Sequence, residues 1–291
     1  MSRAHVGGIV KDQVVPPFQI AITQPPATRD PRLNGQAARQ LMRAAAHQGA
    51  RLIVFPEGHL SGYAKEQIRD WDDVDWTLVR EELQQTCDLA RDLGLWTVMG
   101  SAHPLTAPTW PHNSMYVISD QGRIVDRYDK RICSHTEASH WYTPGSQPTV
   151  FDVDGYRFGV ATCVEINFPH LFTEYADLGV DCLLLPTYPV DAIFRTKALA
   201  LAAINSYWIA VCSVAQRQDL FASELIAPDG SSVGIVDDER LPLVADLDRD
   251  DPAFKVSLKF ARPWRALARE AASHGDHTPI DDPRSLDRTT V

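Results

Sequence analysis

Three residues of chemically reactive types each follow an apolar segment of this 291-residue chain. Glu57 ends the run RLIVFPE, Lys130 ends a predicted β-hairpin, and Cys163 ends the stretch GVATC. A thiol can act as a nucleophile, a carboxylate as a general base, and an ammonium as a stabiliser of developing negative charge. Ligands and catalytic groups gather at the carboxyl ends of strands in α/β sheets, so these three side chains can converge on one cleft. Each also has an ordinary alternative role, as a helix cap, a solvated charge or a core thiol.

The segments around these residues alternate between strand-like and helix-like patterns. Strands such as 180–187 are apolar on both faces, which indicates sheets covered by helices. Hairpins among them indicate mixed rather than purely parallel sheets. Residues 131–149 have little periodicity and contain Pro144-Gly145, so we predict a loop there. The predicted strands are 18–24, 51–57, 95–103, two within 113–130, two within 149–163, 180–187, 208–214, two within 223–238, and 243–248; the predicted helices are 34–48, 76–93, 168–178 and 192–206.

Three sequence blocks carry a resemblance to a known family. LIVFPEGHLSGY at 52–63, RYDKR at 127–131 and GVATCVEINFP at 159–169 resemble the signature blocks of the nitrilase superfamily of carbon–nitrogen hydrolases, and they occur in the same order. The resemblance covers roughly residues 18–250, and its supporting matches are Gln24, Asn113-Ser114, Pro144-Gly145, the segment LLLPT and the closing ADLD.

The resemblance implies an α/β fold of the four-layer αββα sandwich type and identifies Glu57, Lys130 and Cys163 as catalytic. Because a free thiol is mostly protonated at neutral pH, Glu57 would accept the Cys163 proton and later donate it to the leaving amine. Lys130 and the backbone N–H of Val164 would stabilise the oxyanion. The expected path passes through a tetrahedral intermediate, release of ammonia or an amine, and a thioester that water hydrolyses. No metal and no organic cofactor is required.

Many members of this family carry a second glutamate in the loop after the lysine. Glu137 is the only acidic residue between Lys130 and the strand that begins near residue 149. We therefore predict that Glu137 orients Lys130 or binds substrate and water. The candidate substrate-binding residues lie close in sequence to a catalytic strand end or its loop: Tyr63, Val164, Asn167, Thr187 and Tyr188, with Trp141 as a further candidate for the pocket wall.

The remaining cysteines, and the two histidines nearest Lys130, are interpreted as structural. Cys133 lies close to Lys130 in sequence, but a thiol in the wall of the loop is the simpler interpretation. His135 and His140 are accompanied by no HExxH motif and no paired CxxC, so we predict no metal site. The other cysteines lie inside apolar runs or a helix: Cys87, Cys182 and Cys212.

The residue four positions after Cys163 bears on the charge of the substrate. Several acid-binding branches of the family carry Arg there, in the pattern C-x-D-x-R-F-P, whereas this chain has Asn167. A guanidinium binds a carboxylate through two charge-assisted hydrogen bonds, and an amide offers only neutral ones. Glu165, if it faces the pocket, would further disfavour an anion. We therefore expect a neutral or cationic substrate, unless a positive charge comes from another residue: Arg131, Arg157 or Arg195.

Composition argues against several classes of partner. The chain has 28 Lys plus Arg and 38 Asp plus Glu, a formal net charge of −10, which disfavours nucleic acid and anionic membrane surfaces. No apolar run approaches the roughly 20 residues of a membrane span, and the N-terminus lacks the apolar core of a signal peptide. Five cysteines make no disulfide framework, so we expect a cytoplasmic protein. The predicted organisation is an N-terminal arm at 1–17, a single domain at 18–272 and a flexible tail at 273–291.

These observations predict a hydrolase that cleaves a non-peptide C–N bond in a small amide or N-carbamoyl compound. The nearest alternative is a true nitrilase, but nitrilases usually carry Trp after the cysteine, where this chain has Val164. A non-catalytic binding protein on the same fold is the other alternative, against which the intact set of three reactive residues argues. Since the family usually pairs through helices, we expect a homodimer or higher homo-oligomer formed by the helix after Cys163 and by residues 260–272.

Overall fold

Two six-stranded sheets form the centre of the computed structural model, which describes residues 16–269. The first sheet has the order β12-β1-β2-β3-β4-β5 and the second has the order β11-β10-β9-β8-β7-β6. In chain order the strands are β1 (Phe18–Ile22), β2 (Leu52–Val54), β3 (Trp96–His103), β4 (His112–Ile118), β5 (Ile124–Asp129), β6 (Val150–Val153), β7 (Tyr156–Val160), β8 (Cys182–Thr187), β9 (Trp208–Ser213), β10 (Glu224–Ile226), β11 (Ser232–Ile235) and β12 (Leu243–Leu247).

Helices cover the outer faces of both sheets. The helices are α1 (Pro31–His47), α2 (Trp76–Leu93), α3 (His135–His140), α4 (Pro169–Asp177), α5 (Ile193–Asn205) and α6 (Arg262–Arg269), the last preceded by a π-helical segment, Val256–Ala261. The first sheet packs against α1 and α2, and the second packs against α4 and α5. This arrangement confirms the predicted four-layer αββα sandwich. No helix within residues 16–269 combines the length and the apolar character needed to span a bilayer.

The double-sided burial of the central strands explains the four layers. In β8, Leu184 packs in the core between the two sheets, whereas Leu183 and Leu185 pack against the helices. Successive side chains of a strand point to opposite faces, so a strand that is apolar throughout must be covered on both. Val54 of the first sheet and Cys212 of the second belong to the same inter-sheet core.

Both sheets are mixed, as the sequence predicts. In each sheet the central strands run parallel, so their carboxyl ends lie at the same edge of that sheet. Strands β1, β2 and β3 run parallel, and so do β7, β8 and β9, whereas the hairpin β4–β5 is antiparallel. The loops after β2, β5, β7 and β8 hold the chemically reactive residues. The sheets therefore act as a frame that fixes the starting points of these loops.

One prediction of local structure was wrong: residues 131–149 are not a continuous loop. The helix α3 forms there because Ser134 and Glu137 cap its first turn. The Ser134 hydroxyl accepts a hydrogen bond from the Glu137 N–H at 3.3 Å, and the Glu137 carboxylate accepts one from the Ser134 N–H at 2.7 Å. This reciprocal capping box stabilises a helix too short to show a hydrophobic period.

The predicted termini fall mainly outside the described residues. Only residues 16 and 17 of the predicted arm, and none of the tail at 273–291, belong to the described range. The division into arm, single domain and tail therefore remains a prediction.

Candidate active site

Glu57 lies in a turn beyond the end of β2, and the turn packs closely on β3. The Leu60 N–H donates to the Gly100 carbonyl at 2.8 Å. A Cβ atom on Gly100 would collide with the Pro56 carbonyl and lie 2.9 Å from the Gly58 nitrogen. Because only glycine permits this approach, Gly100 helps to fix the position of the Glu57 backbone.

Lys130 directly follows β5 and is held through its own backbone on both sides. Its N–H donates to the Asn113 carbonyl at 2.8 Å, and its carbonyl accepts from the Gly145 N–H at 2.9 Å. A side chain at Gly145 would collide with the Asp129 carbonyl. The Pro144-Gly145 pair therefore closes the loop tightly against the end of β5.

Cys163 begins a short 3-10 helix, Cys163–Asn167, and has a φ of +47°. Residues other than glycine seldom adopt this left-handed region, and they do so chiefly where the surroundings enforce it at a functional site. The N–H groups in the first turn of a helix have no partner within the helix, so the Val164 amide is available to a ligand beside the thiol.

Glu165 holds this turn in place and does not face the substrate side. Its carboxylate accepts hydrogen bonds from the Tyr128 hydroxyl at 2.7 Å, from the Thr162 N–H at 2.6 Å and from the Arg131 N–H at 2.8 Å. Glu165 was expected to disfavour an anionic substrate only if it faced the pocket, and that condition is not met, because its buried carboxylate is bonded to these groups of the protein.

The structure brings the predicted acidic, basic and thiol groups into one buried cluster. The Lys130 ammonium donates to Glu57 Oε1 at 2.8 Å and to Glu137 Oε1 at 2.9 Å. The Tyr63 hydroxyl donates to the same Glu137 oxygen at 2.7 Å. Glu57, Lys130 and Glu137 are at most 1% exposed, and Cys163 is 5% exposed. The convergence expected from the strand ends is thus present in the fold.

Tyr188 connects the carboxylate and the thiol through its backbone. Its N–H donates to Glu57 Oε2 at 3.0 Å, and its carbonyl lies 3.5 Å from Cys163 Sγ. Its ring stacks on Tyr63 with 4.7 Å between centroids. Both predicted tyrosines therefore lie beside the cluster.

Burial and charge set the protonation of the cluster. Burial raises the pKa of the Cys163 thiol to about 12, and the negative charge of Glu57 adds to this effect. Burial also raises the pKa of Glu57, although Lys130 opposes the shift. Burial acts in the same direction on Glu137, but the Lys130 charge and the hydrogen bonds from Lys130, Ser134 and Tyr63 together outweigh it and lower that pKa to about 2. Burial by itself would lower the pKa of Lys130, but the nearby Glu57, Cys163 and Glu137 together raise it well above the usual value.

This arrangement is suited to moving one proton and holding one new negative charge. Lys130 stays charged between an ionised Glu137 and Glu57, while the thiol keeps its proton until a base removes it. Glu57 is the carboxylate with the raised pKa, which makes it the stronger proton acceptor of the two.

Two predicted binding residues lie at the margin of the cluster. Asn167 is exposed; its amide donates to the Val164 carbonyl at 3.0 Å, and its Oδ1 accepts from the Lys197 ammonium at 2.5 Å. Thr187 is buried at the end of β8, on the same strand face as Leu185, and its hydroxyl has no partner within residues 16–269.

The arginines considered as compensating charges are each engaged by a carboxylate. The pairs are Arg131 with Glu174 at 2.7 Å, Arg157 with Asp152 at 2.8 Å, and Arg195 with Glu224 at 2.8 Å.

The residues interpreted as structural lie apart from the hydrogen bonds of the cluster. Burial raises the pKa of the Cys133 thiol to about 12, which leaves that thiol protonated. His135 and His140 stand at the two ends of α3. Over the described part of the chain, no three His, Cys, Asp or Glu side chains are grouped so as to hold a metal ion. The Trp141 carbonyl accepts a hydrogen bond from the Trp71 indole N–H at 2.9 Å, and both tryptophans pack against a group of hydrophobic side chains that includes Tyr63.

The cluster is shielded from solvent, and a cavity lies nearby, beyond Gln67. The cavity has a volume of about 550 Å³ and is lined in part by Gln67. The Gln67 amide donates to the Tyr188 hydroxyl at 3.1 Å. Gln67 thus joins this cavity to Tyr188, although Glu57, Lys130, Glu137 and Cys163 do not line it.

Sequence reasoning missed Asn113 as a contributor to this site. Its side-chain amide donates to Glu57 Oε1 at 2.7 Å. The sequence offered only the resemblance of the Asn113-Ser114 pair, because the contact spans 56 positions and depends on how β4 pairs with β3.

The four-layer αββα sandwich thus places a carboxylate, an ammonium and a thiol in one buried cluster beyond the ends of β2, β5 and β7. The chain matches the Carbon-nitrogen hydrolase family over residues 19–253. It belongs to that family, and it is therefore an enzyme that cleaves carbon–nitrogen bonds. The resemblance stated from the three sequence blocks is thereby confirmed.

Individual relatives are distant. A protein of Arabidopsis thaliana named omega-amidase, chloroplastic, is 23% identical over 259 residues, which cover 79% of this chain and 68% of that protein. The 2-oxoglutaramate amidase of Bacillus subtilis is 25% identical over 168 residues, which cover 56% of this chain and 63% of the relative.

A solved structure supports the fold. The amidase from Nesterenkonia sp. AN1, in a variant with the acetamide moiety of fluoroacetamide added covalently at its active-site cysteine, superposes with a TM-score of 0.69. The identity is 22%, and the superposition covers 89% of this chain and 100% of that one.

Proposed function

We propose that this enzyme hydrolyses the C–N bond of a small amide through a thioester on Cys163. It acts on amides, as the names of its two relatives indicate for those proteins. The observation that carries the mechanism is the contact of one buried ammonium with two carboxylates beside a buried thiol.

The first half of the reaction forms the thioester. Glu57 accepts the thiol proton while Cys163 Sγ attacks the carbonyl carbon and the C=O electron pair moves to oxygen. The Lys130 ammonium and the Val164 N–H stabilise the resulting oxyanion. Glu57 then donates its proton to the amide nitrogen, the C–N bond breaks, and ammonia or an amine leaves.

The second half releases the acid. Glu57 takes a proton from a water molecule, whose oxygen attacks the thioester carbon and forms a second oxyanion in the same place. Collapse of this intermediate breaks the C–S bond, and the proton on Glu57 returns to the Cys163 sulfur. Glu137 keeps Lys130 charged and in place throughout, since its carboxylate accepts from that ammonium and from Tyr63.

Tyr63, Val164, Thr187 and Tyr188 are the proposed substrate contacts around the thiol. The stacked rings of Tyr63 and Tyr188 give the pocket one flat apolar wall. Asn167, at the exposed end of the catalytic turn, contacts the part of the substrate farther from the scissile bond.

Matched panels of amides, ureido compounds and nitriles test this function. Ammonia release from amides or N-carbamoyl compounds, with little from the corresponding nitriles, is the expected result, because Val164 stands where nitrilases usually carry Trp. Turnover of the nitriles alone would establish the nitrilase alternative. Failure of every panel, with no acyl adduct on Cys163 by mass spectrometry, would favour the non-catalytic alternative.

We expect activity to fall as the pH drops through the pKa of Glu57. The base must be ionised to accept the thiol proton, and burial raises its pKa above the ordinary value of about 4.3. The acidic limb of the kcat/KM profile should therefore lie above that value, with activity gained as the pH rises. Initial rates between about pH 4 and 8, with the fold monitored by circular dichroism, measure the limb. Undiminished kcat/KM at the low end of this range would contradict the role of Glu57.

We propose an uncharged substrate. The three arginines considered as compensating charges are engaged by carboxylates, and Asn167 occupies the position of the arginine in acid-binding branches. The expected result is a higher kcat/KM for an uncharged amide than for an isosteric ω-amide that ends in a carboxylate. A clear preference for the carboxylate would contradict this and would implicate Lys197, whose ammonium contacts Asn167.

Association of two or more copies is a separate proposal. The C-terminal segment exposes apolar side chains along one side: Val256 is 70%, Phe260 60%, Trp264 63% and Leu267 52% exposed. Together with α4, this face would bury its apolar area against a second copy; residues 270–272 of the predicted surface lie outside the described range. Sedimentation at micromolar concentration should give at least a dimer, and Trp264→Glu should weaken it. A wild-type monomer would contradict the proposal.

The cytoplasm is the proposed location, and a small molecule the proposed partner. All five cysteines are free, which agrees with a reducing compartment. The net charge of −10 disfavours association with nucleic acid. Subcellular fractionation of the native protein tests the location.

A further inference from the structure

Asn113 bonds to the carboxylate of Glu57 and to the backbone of Lys130, two residues that the proposed mechanism uses. It lies near the start of β4 and is 1% exposed. Its side-chain Nδ2 donates to Glu57 Oε1 at 2.7 Å, and its backbone carbonyl accepts the N–H of Lys130 at 2.8 Å. One residue thus bonds to the carboxylate of the base and to the backbone of Lys130 through two separate hydrogen bonds.

The orientation of the Asn113 amide follows from its neighbour. Glu57 Oε1 already accepts from the Lys130 ammonium, and a carboxylate oxygen requires donors. The opposite orientation would place two acceptor oxygens against each other. The Asn113 Oδ1 atom has no hydrogen-bond partner within residues 16–269, so the amide's only side-chain bond in that range is the one to Glu57.

Donors to both oxygens favour the ionised form of Glu57. Lys130 and Asn113 donate to Oε1, and the Tyr188 N–H donates to Oε2. With Oε1 occupied twice, Oε2 is the oxygen left to take the proton of Cys163. We propose, on the basis of the proposed function, that Asn113 is a positioning residue that keeps the Glu57 carboxylate ionised and directs Oε2 toward the Cys163 thiol.

Several other groups act on Glu57, and the test must separate Asn113 from them. Burial and the charge of Glu137 raise its pKa, whereas the charge of Lys130 and a hydrogen bond with Cys163 lower it. The hydroxyls of Tyr63 and Tyr142 also lie within its electrostatic reach. Removal of the Asn113 donor leaves all of these in place and takes away one contact that favours the charged form, so the pKa of Glu57 should rise.

The experiment compares Asn113→Leu and Asn113→Asp with wild type. Leucine has a similar size and no donor, whereas aspartate adds a second carboxylate beside Glu57. Two pH profiles are measured: that of kcat/KM and that of the rate of Cys163 alkylation by iodoacetamide. The acidic limb of each profile should shift to higher pH, by about one unit in the leucine variant and by more in the aspartate variant. At neutral pH the leucine variant should lose about ten- to a hundred-fold in kcat/KM.

Ser114→Ala is the matched control, because the neighbouring hydroxyl contacts Asp129 and not the cluster. Its acidic limb should stay where it is in wild type. Asn113→Ser, which is smaller, replaces the leucine variant if that protein does not fold. Folded variants with an unmoved limb would overturn the role of Asn113. A wild type that turns over no amide, and whose Cys163 alkylation shows no acidic limb, would instead overturn the proposed function.

Discussion

Replacement of Cys163 by alanine is expected to lower kcat by about 10⁴- to 10⁶-fold without loss of the fold. The variant lacks the sulfur that forms the covalent intermediate in the proposed mechanism, so only the remaining binding and oxyanion contacts can act. Alanine adds no backbone strain, because cysteine already occupies this position with a φ of +47° and also has a Cβ. Steady-state turnover of an amide and a thermal unfolding curve are the two measurements.

Serine at position 163 should be nearly as inactive as alanine. Its hydroxyl holds its proton more tightly than a thiol does, and Glu57 cannot remove that proton at the pH at which it works. Cys133→Ala is the matched control, since Cys133 is a half-buried thiol of the neighbouring loop with no assigned role. Substantial activity in Cys163→Ala, or loss of activity in Cys133→Ala, would show that the wrong thiol has been assigned as the nucleophile.

Replacement of Lys130 by methionine should lower both activity and stability. Methionine keeps the length of the side chain but removes the cation that is proposed to stabilise the oxyanion, so kcat should fall by about 10²- to 10³-fold. It also leaves Glu57 and Glu137 buried without their shared counter-charge. Removal of one partner from a buried ion pair costs about 3–5 kcal/mol of unfolding free energy, so urea unfolding should detect the change easily.

A double variant separates the two effects of Lys130. Lys130→Met combined with Glu137→Gln removes one of the uncompensated carboxylates, so it should regain part of the unfolding free energy and none of the turnover. Lys255→Met is the control, because Lys255 is exposed and should tolerate the change. Equal stability of the single and the double variant would show that Lys130 and Glu137 are not coupled through charge.

Local pattern accounts for most of the fold. Residues 76–93 were predicted as a helix, and the helix α2 has those bounds because Asp75 caps its N-terminus and Gly94 ends it in the left-handed conformation. The strand at 180–187 was recognised because it is apolar on both faces. The short α3 was missed because six residues hold fewer than two turns, although Ser134 and Glu137 had the spacing of a capping box.

The amino-acid sequence by itself determined the alternation of strands and helices and the reactive types Glu57, Lys130 and Cys163 at strand ends, while the four-layer sandwich was implied by the resemblance of three blocks to the nitrilase superfamily. These features follow from hydrophobic period and from short motifs, which are local properties of the chain. Only the tertiary structure decided which groups those residues meet. The Glu165 carboxylate turned inward, Asn113 reached Glu57 across 56 positions, and Lys197 came to lie beside Asn167. Such contacts depend on strand order and register, which bring distant segments together, and no spacing within a single segment encodes them.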